Sequence, residues 1–320
     1  MLQRYRREVS VAIAILALSI VLAIAAPDFF STQNQTDLLL TNMPVLIVAL
    51  GMTLVILAGQ IDISVGSVFA ICSVAAGLFA KMGLPAPLAG LAACALGAAF
   101  GALNGALVAY VRIPSIVVTL AAMVALRDAL RWATQGAWVE NLPRNFQWFG
   151  MSQSSSQGVT FLIAAVLTAS AAWGLRRLAA GRAVYATGSN ENAARLVGIN
   201  SNLVTFSVFT ITGALTGCAA LLNSVRFSQI PSNAGLGLEL KVIAAVVVGG
   251  VSITGGKGTV LGTLLGLILL GMIGPALTFL GVSAYWERAI QGLIILAAVA
   301  IDAVRIHSGR YAGSPAATRA

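Results

Sequence analysis

Residues 38–58 read LLLTNMPVLIVALGMTLVILA, a run without a single charged side chain. About 20 predominantly apolar residues let a helix cross the hydrocarbon core of a bilayer, so this run predicts a transmembrane helix. The whole chain has the same character: its 320 residues are 58% hydrophobic and 9% charged, with a mean hydropathy of +0.93. Soluble domains carry about 25% charged residues. The composition therefore predicts an all-α polytopic membrane helix bundle, and it excludes a soluble enzyme, a secreted disulfide scaffold and a nucleic-acid-binding protein.

Nine further apolar segments bring the prediction to about ten transmembrane helices in a single membrane domain, residues 1–304. These segments are Val9–Ala26, Val65–Ala80, Pro87–Val111, Ser115–Ala133, Val159–Leu178, Leu203–Val225, Leu240–Ile253, Thr259–Leu280 and Glu287–Val304. Two of them, Val65–Ala80 and Leu240–Ile253, are short and border glycine-rich polar stretches. Short or broken spans are tolerated only where their backbone is buried in protein or lines a cavity. The first segment could instead be a cleavable signal peptide, because Ala23 and Ala25 form an A-x-A pattern, but Pro27 and the basic flank favour a retained helix.

The basic residues predict the orientation of the bundle. Ten spans place both termini on one side, and with the N-terminus in the cytoplasm the inside segments hold twelve Arg and Lys residues. The outside segments hold three, or seven when those near the outer helix ends are included. This excess agrees with the positive-inside rule. We therefore expect both termini in the cytoplasm, a periplasmic loop at residues 134–158 and a cytoplasmic tail at residues 305–320.

Histidine and cysteine offer little chemistry in this chain. The three cysteines, Cys72, Cys94 and Cys218, lie in apolar stretches without paired spacing, and the one histidine, His307, lies in the polar tail. They predict small buried side chains and a surface histidine rather than disulfides or ligands. We expect no catalytic residue, no metal site and no cofactor bound by this chain.

Residues 179–202 form the longest polar segment on the predicted cytoplasmic side. This segment contains YATGSNENAARLVGIN at residues 185–200. Ser189 or Asn190 is a good helix N-cap, and Gly198 suits the C-terminal end. Glu191 and Arg195 are spaced i,i+4 in the favourable order. These features predict a short helix on the cytoplasmic side.

The apolar residues of this predicted helix share one face. They are Ala193, Leu196 and Val197, and the small Ala194 beside them indicates close packing. Two turns of helix are not stable alone, so the adjacent spans or a partner must brace them. From these features alone, a well-capped surface turn is an equally good interpretation.

A second polar stretch, AGQIDISVGS at residues 58–67, separates two spans. Gly59 and Gly66 bracket Asp62, and Ser64 adds a hydroxyl. We expect Asp62 to accept backbone N–H bonds at the N-terminus of the next span, while direct contact with a substrate is the alternative.

A third stretch, GGVSITGGKGTVLG at residues 249–262, invites comparison with a phosphate-binding loop. That loop requires G-x-x-x-x-G-K-[ST], but Val251 occupies the first glycine position and Gly258 the Ser/Thr position. The stretch therefore predicts a tight bend with closely approaching helices rather than a nucleotide site. The residues expected to form it are Gly249, Gly250, Ser252, Gly255, Gly256 and Gly258.

Small residues also repeat every four positions within the spans, which lets helix backbones approach closely. These repeats are Gly97/Gly101/Gly105, Gly213/Gly217 and Gly262/Gly266.

Taken together, the three polar stretches resemble sugar permeases of the ribose/xylose/galactose class of ABC importers. Residues 185–199 are similar to that family's pattern Y-A-[IT]-G-x-N-x-x-A-A-R-L-x-G-I, and residues 249–259 to G-G-[TV]-S-[LI]-x-G-G-x-G-T. Residues 59–67 resemble G-G-I-D-[LI]-S-[VI]-G-S, with Gln60 where glycine is usual. Asn104 and Thr119 also match family positions. The resemblance covers residues 38–304.

The resemblance implies roles for individual residues. In that family the short cytoplasmic helix sits in a groove of the ATPase and transmits the nucleotide-driven stroke. An ATPase-coupling role is thus implied for Gly188, Asn190, Glu191, Ala193, Ala194, Arg195, Leu196 and Gly198. A role in the translocation pathway or in a helix break is implied for Gly59, Asp62, Ser64, Gly66, Asn104, Thr119 and the six residues of the third stretch.

The resemblance also implies partners and a location. These are a separate cytoplasmic ATP-binding subunit that uses ATP and Mg, a periplasmic sugar-binding protein, and a second permease subunit, identical or homologous, in the bacterial inner membrane. Nucleic acid is not among them. The cargo would be a monosaccharide or a related small polyol, and AGQIDISVGS is more similar to the rhamnose or autoinducer-2 subgroup than to ribose permeases.

Two other classes of protein stay open. An ion-coupled secondary transporter usually carries membrane-buried carboxylates, and the candidates Asp62, Asp128, Glu239 and Asp302 all lie near predicted span ends. An integral-membrane enzyme needs a converging catalytic set, which this inventory of side chains does not offer.

Overall fold

The computed structural model describes residues 6–283, 285–294 and 296, and nearly all of this part of the chain is helical. The helices are α1 (Arg6–Ala25), α2 (Thr32–Leu57), α3 (Val65–Lys81), α4 (Ala86–Ala109), α5 (Ser115–Thr134), α6 (Gln153–Arg177), α7 (Ala179–Ser189), α8 (Glu191–Leu196), α9 (Ser201–Ser224), α10 (Leu238–Val248) and α11 (Val260–Phe279). Residues 286–294 are also helical. The predicted tail at 305–320, with His307, lies outside the described residues, as do Asp302 and the end of the last predicted span.

Six of these helices are long and apolar enough to cross a membrane: α1, α2, α4, α6, α9 and α11. This confirms a polytopic membrane helix bundle. The other predicted spans in the described part are present as helices with distinct features. α3 has 17 residues, α10 has 11, and α5 carries Arg127, Asp128 and Arg131 within its 20 residues.

Helix α2 forms the centre of the bundle. Residues 45–52 of this helix are buried without interruption, and α2 contacts α6, α9, α10 and α11. A helix that is apolar on all sides is either buried in protein or surrounded by lipid, so the charge-free run predicts a span, and the packing of the neighbouring helices fixes its central position.

The glycine repeats in α4 and α9 face each other and form the most extensive helix pair in the described bundle. A Cβ atom on Gly97 would overlap the carbonyl oxygen of Gly213, and one on Gly213 would overlap that of Gly97. Gly101 has the same relation to Phe209, and Gly217 to Ala93. The close backbone approach predicted from these repeats is confirmed.

Gly262 and Gly266 of α11 pack in the same way against the end of α10. A Cβ atom on Gly262 would overlap the carbonyl oxygen of Gly249, and one on Gly266 would overlap that of Ala245. The predicted span Leu240–Ile253 is wrong at its end, because α10 stops at Val248 and residues 249–259 form an irregular loop. This loop turns the chain tightly enough to bring α11 against α10.

The connections gather at two ends of the bundle. At one end the loop predicted at 134–158, which is shorter in the structure because α6 begins at Gln153, meets the loop after α9. Val139 pairs with Ile230 in an isolated bridge, and the Trp148 N–H donates to the Val225 carbonyl at 2.8 Å. At the other end, called here the α8 end, lie residues 58–64, 179–202 and 249–259. This grouping agrees with the alternation of sides that the predicted spans require.

Candidate functional site

A pair of short helices projects from the α8 end. Helix α7 follows α6 after a single residue, and α8 follows α7 at Asn190. The Asn190 side chain caps α8 by accepting a hydrogen bond from the Ala193 N–H at 3.0 Å. Arg195 contacts Glu191 at 2.6 Å, and Gly198 ends the helix with φ of 84°. The predicted helix, its cap and its ion pair are confirmed.

Helix α7 was not predicted. Its eleven residues include two glycines, Gly181 and Gly188, and two β-branched residues, Val184 and Thr187, all of which lower intrinsic helix propensity. The structure explains its stability by packing, because Gly181, Val184 and Thr187 are buried.

The two faces of α8 differ from the prediction in one respect. Leu196 is 88% exposed and Val197 is 75% exposed, so the apolar face predicted for a partner is free in the described chain. Ala194 is only 3% exposed. The close packing indicated for this small residue is present, and it is made within the residue's own chain rather than on the free face.

Four glycines form a contact, called here the glycine junction, near the N-terminal end of α8. They are Gly59 after α2, Gly188 near the end of α7, and Gly255 and Gly256 in the loop before α11. The Gly256 N–H donates to the Leu57 carbonyl at 2.9 Å. Three of the glycines have left-handed backbone conformations, with φ of 78°, 83° and 70° at positions 59, 255 and 256.

The chains at the glycine junction touch backbone to backbone. A Cβ atom on Gly188 would overlap the Leu57 carbonyl oxygen and lie 2.9 Å from the Gly256 nitrogen. A Cβ atom on Gly255 would lie 2.8 Å from Gly59 Cα. No flexible side chain therefore separates α7 from the end of α2 and from the loop before α11. Tyr185 adds a further link, since its hydroxyl donates to the Gly258 carbonyl at 2.9 Å.

The loop that carries Gly255 and Gly256 is held by its own hydrogen bonds. The Ser252 N–H donates to the Lys257 carbonyl at 2.8 Å, and the hydroxyls of Ser252 and Thr254 lie 2.9 Å apart. Gly250 and Gly258 have φ of 96° and 149°, which favours glycine at both positions. The predicted tight bend is therefore present.

Asp62 is the centre of a buried polar network between α2 and α3, and it is 3% exposed. Its Oδ1 atom accepts hydrogen bonds from the Ser64 N–H at 2.9 Å and from the Ser64 hydroxyl at 2.6 Å. The Asn104 side-chain amide of α4 donates to the same hydroxyl at 2.9 Å. Asp62 thus stabilises the turn that leads into α3. It bonds the N-cap residue, Ser64, rather than the first helical N–H groups.

Thr119 and Ser115 of α5 complete this network from the other side. The Thr119 hydroxyl donates to the Ser115 carbonyl at 2.8 Å and lies 3.4 Å from the Ile61 carbonyl. The Ile61 N–H donates to the Ser115 hydroxyl at 3.3 Å. The structure therefore brings Asp62, Ser64, Asn104 and Thr119 together around one break, although they come from three separate parts of the sequence.

Gly66 has a partner that the sequence did not indicate. A Cβ atom on Gly66 would overlap the carboxylate of Glu239 and lie 2.7 Å from the Gly235 carbonyl oxygen. Glu239 is buried, and its Oε2 atom has no hydrogen-bond partner among the described residues. Glu239 lies near the end of a span, as predicted. In the fold its side chain is beside the first turn of α3.

The segment before α10 enters the bundle deeply. Ile230 packs against Gly77, whereas Gly235 packs against Gly66 and Phe69. Gly66 and Gly77 are eleven residues apart on α3, so the irregular segment 230–237 descends about 16 Å along that helix. Arg127 of α5 stabilises it by donating to the Ala234 carbonyl at 2.9 Å. We call residues 230–237 the descending segment. Its sequence has no apolar periodicity and therefore predicts only a loop.

The fold and this site together define a class of protein. A helical membrane bundle carries a short helix with a free apolar face, and backbone contacts join that helix to two breaks in the bundle. This arrangement is typical of a transport permease.

Comparison with known proteins places the chain more closely. Residues 34–299 match the family described as "Branched-chain amino acid transport system / permease component", and the chain belongs to this family. It is 39% identical over 298 residues to the autoinducer 2 import system permease protein LsrC of Enterobacter sp. (strain 638), covering 92% of this chain and 86% of that protein. It is 38% identical over 295 residues to the ribose import permease protein RbsC of Escherichia coli (strain K12), covering 91% and 92%.

The resemblance to ribose-type ABC importer permeases is confirmed by these relatives. No solved structure matches the chain.

Proposed function

We propose that this chain is the transmembrane subunit of an ATP-binding-cassette importer that moves a monosaccharide or a related small polyol into the cell. The observation that carries the proposal is the pairing of a free apolar face on α8 with the glycine junction behind it. A partner that binds Leu196 and Val197 is connected, through the backbone contacts of the glycine junction, to the end of α2 and to the loop before α11.

The proposed mechanism is alternating access driven by a separate ATP-binding subunit. ATP, with Mg, closes a pair of these subunits, and the closure displaces α7 and α8. The backbone contacts of Gly188 pass this displacement to α2 and α11. The cavity between two permease subunits, identical or homologous, then changes the side of the membrane that it faces.

The descending segment is the proposed wall of the translocation pathway. Irregular backbone at membrane depth is tolerated where it lines a cavity, and discontinuous helices form the binding sites of many transporters. Asn233 is an exposed polar residue of this segment, and Arg127 lies behind it. Hydroxyl-rich cargo suits such groups, because the amide of Asn233 donates and accepts hydrogen bonds and the guanidinium group of Arg127 donates them.

The relatives support the class of cargo and the cellular setting. Their names specify ribose and autoinducer 2 import, which favours a small polyhydroxylated solute. A periplasmic binding protein would deliver this solute to a permease in the bacterial inner membrane. The proposed topology has ten spans and both termini in the cytoplasm.

The test is Leu196→Glu, which places a charge on the exposed face of α8 without changing a buried contact. We expect normal abundance and membrane insertion, loss of the ATP-binding subunit from pull-downs, and loss of uptake. Met82→Glu is the matched control, because Met82 is 74% exposed at the opposite end of the bundle. A Leu196→Glu protein that retains its ATP-binding subunit and transports at the parental rate would refute the coupling role of α8.

One observation favours a second candidate, an ion-coupled transporter. Glu239 is a buried carboxylate beside a helix break, and such groups often bind coupling ions. Proteoliposomes separate the two functions. An importer requires ATP and tolerates an ionophore, whereas an ion-coupled transporter works without ATP and stops when the ionophore collapses the gradient.

A further inference from the structure

A large cavity lies between helices α1, α2, α6 and α11, away from the descending segment. Its volume is about 1490 Å³. Half of the residues that α6 contributes to its wall are alanines: Ala164, Ala165, Ala169 and Ala172. None of the buried polar groups around Asp62 lines this cavity, so it is separate from the network described above.

The cavity has the length of one membrane leaflet. Its lining on α6 extends from Phe161 to Arg176, which corresponds to about 22 Å along the helix axis. Half of the hydrocarbon core of a bilayer measures about 15 Å. The cavity thus accommodates an acyl chain and reaches into the headgroup region at the α8 end.

Positive charge surrounds the opening at that end. Arg176 and Lys257 line the cavity, both are exposed, and neither forms a salt bridge within the residues that the structure describes. Glu8 also lines the opening, but its carboxylate accepts a hydrogen bond from the Thr259 hydroxyl at 3.0 Å. Arg177 adds a further positive charge nearby, so the opening is net basic.

We propose that this cavity binds an anionic phospholipid of the leaflet at the α8 end. One acyl chain lies along the alanine wall of α6, and the phosphate lies between Arg176 and Lys257. Basic pockets between transmembrane helices bind anionic headgroups in this way. The site places a lipid beside Tyr185, whose hydroxyl reaches the loop of the glycine junction.

The first test measures retained lipid by native mass spectrometry of the full-length protein, after exchange into detergent that contains phosphatidylglycerol or phosphatidylethanolamine. We expect one phosphatidylglycerol per chain and at least tenfold weaker retention by the double variant Arg176→Gln/Lys257→Gln. Arg177→Gln is the matched control, because Arg177 does not line the cavity, and it should retain the lipid. Equal retention of both lipids, or parental retention by the double variant, would overturn the proposal.

A second pair of variants tests the apolar part of the site. Ala169 lines the cavity and its neighbour Ser170 does not, while both are exposed and accept a larger side chain. Ala169→Trp should displace phosphatidylglycerol at unchanged abundance, whereas Ser170→Trp should retain it. If Ala169→Trp retains the lipid as the parent does, the acyl chain does not occupy this cavity and the proposal fails.

Discussion

Gly188→Ala tests the glycine junction with the smallest possible change, one methyl group. Gly188 lies within helix α7 and is not among the glycines with positive φ, so alanine fits its backbone conformation. In a free helix this substitution would be favourable by about 1 kcal/mol. In the junction the new methyl group overlaps the Leu57 carbonyl oxygen and crowds the Gly256 nitrogen.

The cost follows from these contacts. Separation of the segments breaks the hydrogen bond from Gly256 to Leu57, worth about 1 kcal/mol. Overpacking at a tight contact costs about 1–3 kcal/mol. After the gain in helix propensity is subtracted, the docked arrangement of α7 loses about 1–3 kcal/mol, which corresponds to a change of about 5- to 150-fold in a coupling equilibrium.

The assay is uptake by cells together with ATP hydrolysis by the reconstituted complex. We expect Gly188→Ala to reduce uptake at least fivefold while hydrolysis continues, because the ATP-binding subunit still holds α8 but no longer moves the bundle. Gly174→Ala is the matched control: a Cβ atom there meets only Leu178 Cδ1, at an ordinary 3.7 Å. If the two variants transport equally well, the junction does not transmit the movement.

Five further substitutions test the surrounding contacts. Asp62→Asn should retain membrane abundance because its amide oxygen still accepts both hydrogen bonds. Asp62→Leu should lower abundance, because it leaves buried donors unpaired at a cost of about 1–3 kcal/mol each. Immunoblots of membranes measure the abundance of both variants, and equal abundance would contradict the network. Gly66→Ala should lower the thermal unfolding temperature, and adding Glu239→Ala to this variant should restore the temperature in part. The recovery is incomplete because the Gly235 carbonyl oxygen still lies too close to the new methyl group. If the double variant unfolds at the same temperature as Gly66→Ala, the carboxylate is not the main obstacle. Ala194→Trp should reduce the amount of folded protein, as measured by size-exclusion fluorescence, because this residue is buried in its own chain; normal folding would contradict its assigned position.

Features that depend on local sequence were predictable. The Asn190 cap, the Glu191–Arg195 pair and the Gly198 stop each involve residues within a few positions of one another, so their chemistry is visible in the sequence. The glycine repeats also predicted close approach. Their pairing, α4 with α9 and α10 with α11, required the fold.

Features that depend on distant contacts were not predictable. The small size of Ala194 indicated close packing, but the sequence did not show that the packing is made within its own chain, because burial is decided by what packs behind the helix. The descending segment carries no periodicity, and its depth is fixed by the contacts of Gly235 and Ile230 with α3. The pairing of Gly66 with Glu239, 173 positions apart in the numbering, has no local signal.

The central claim is that α8 is the point at which an ATP-binding subunit drives this chain, and photo-crosslinking in living cells tests it most directly. Leu196→p-benzoylphenylalanine places a reactive group on the exposed face of α8, and Met82→p-benzoylphenylalanine places one at the opposite end. We predict that irradiation joins position 196, but not position 82, to a protein that mass spectrometry identifies as an ATP-binding subunit. The absence of such an adduct at position 196, or its appearance at position 82 instead, would contradict the proposed coupling.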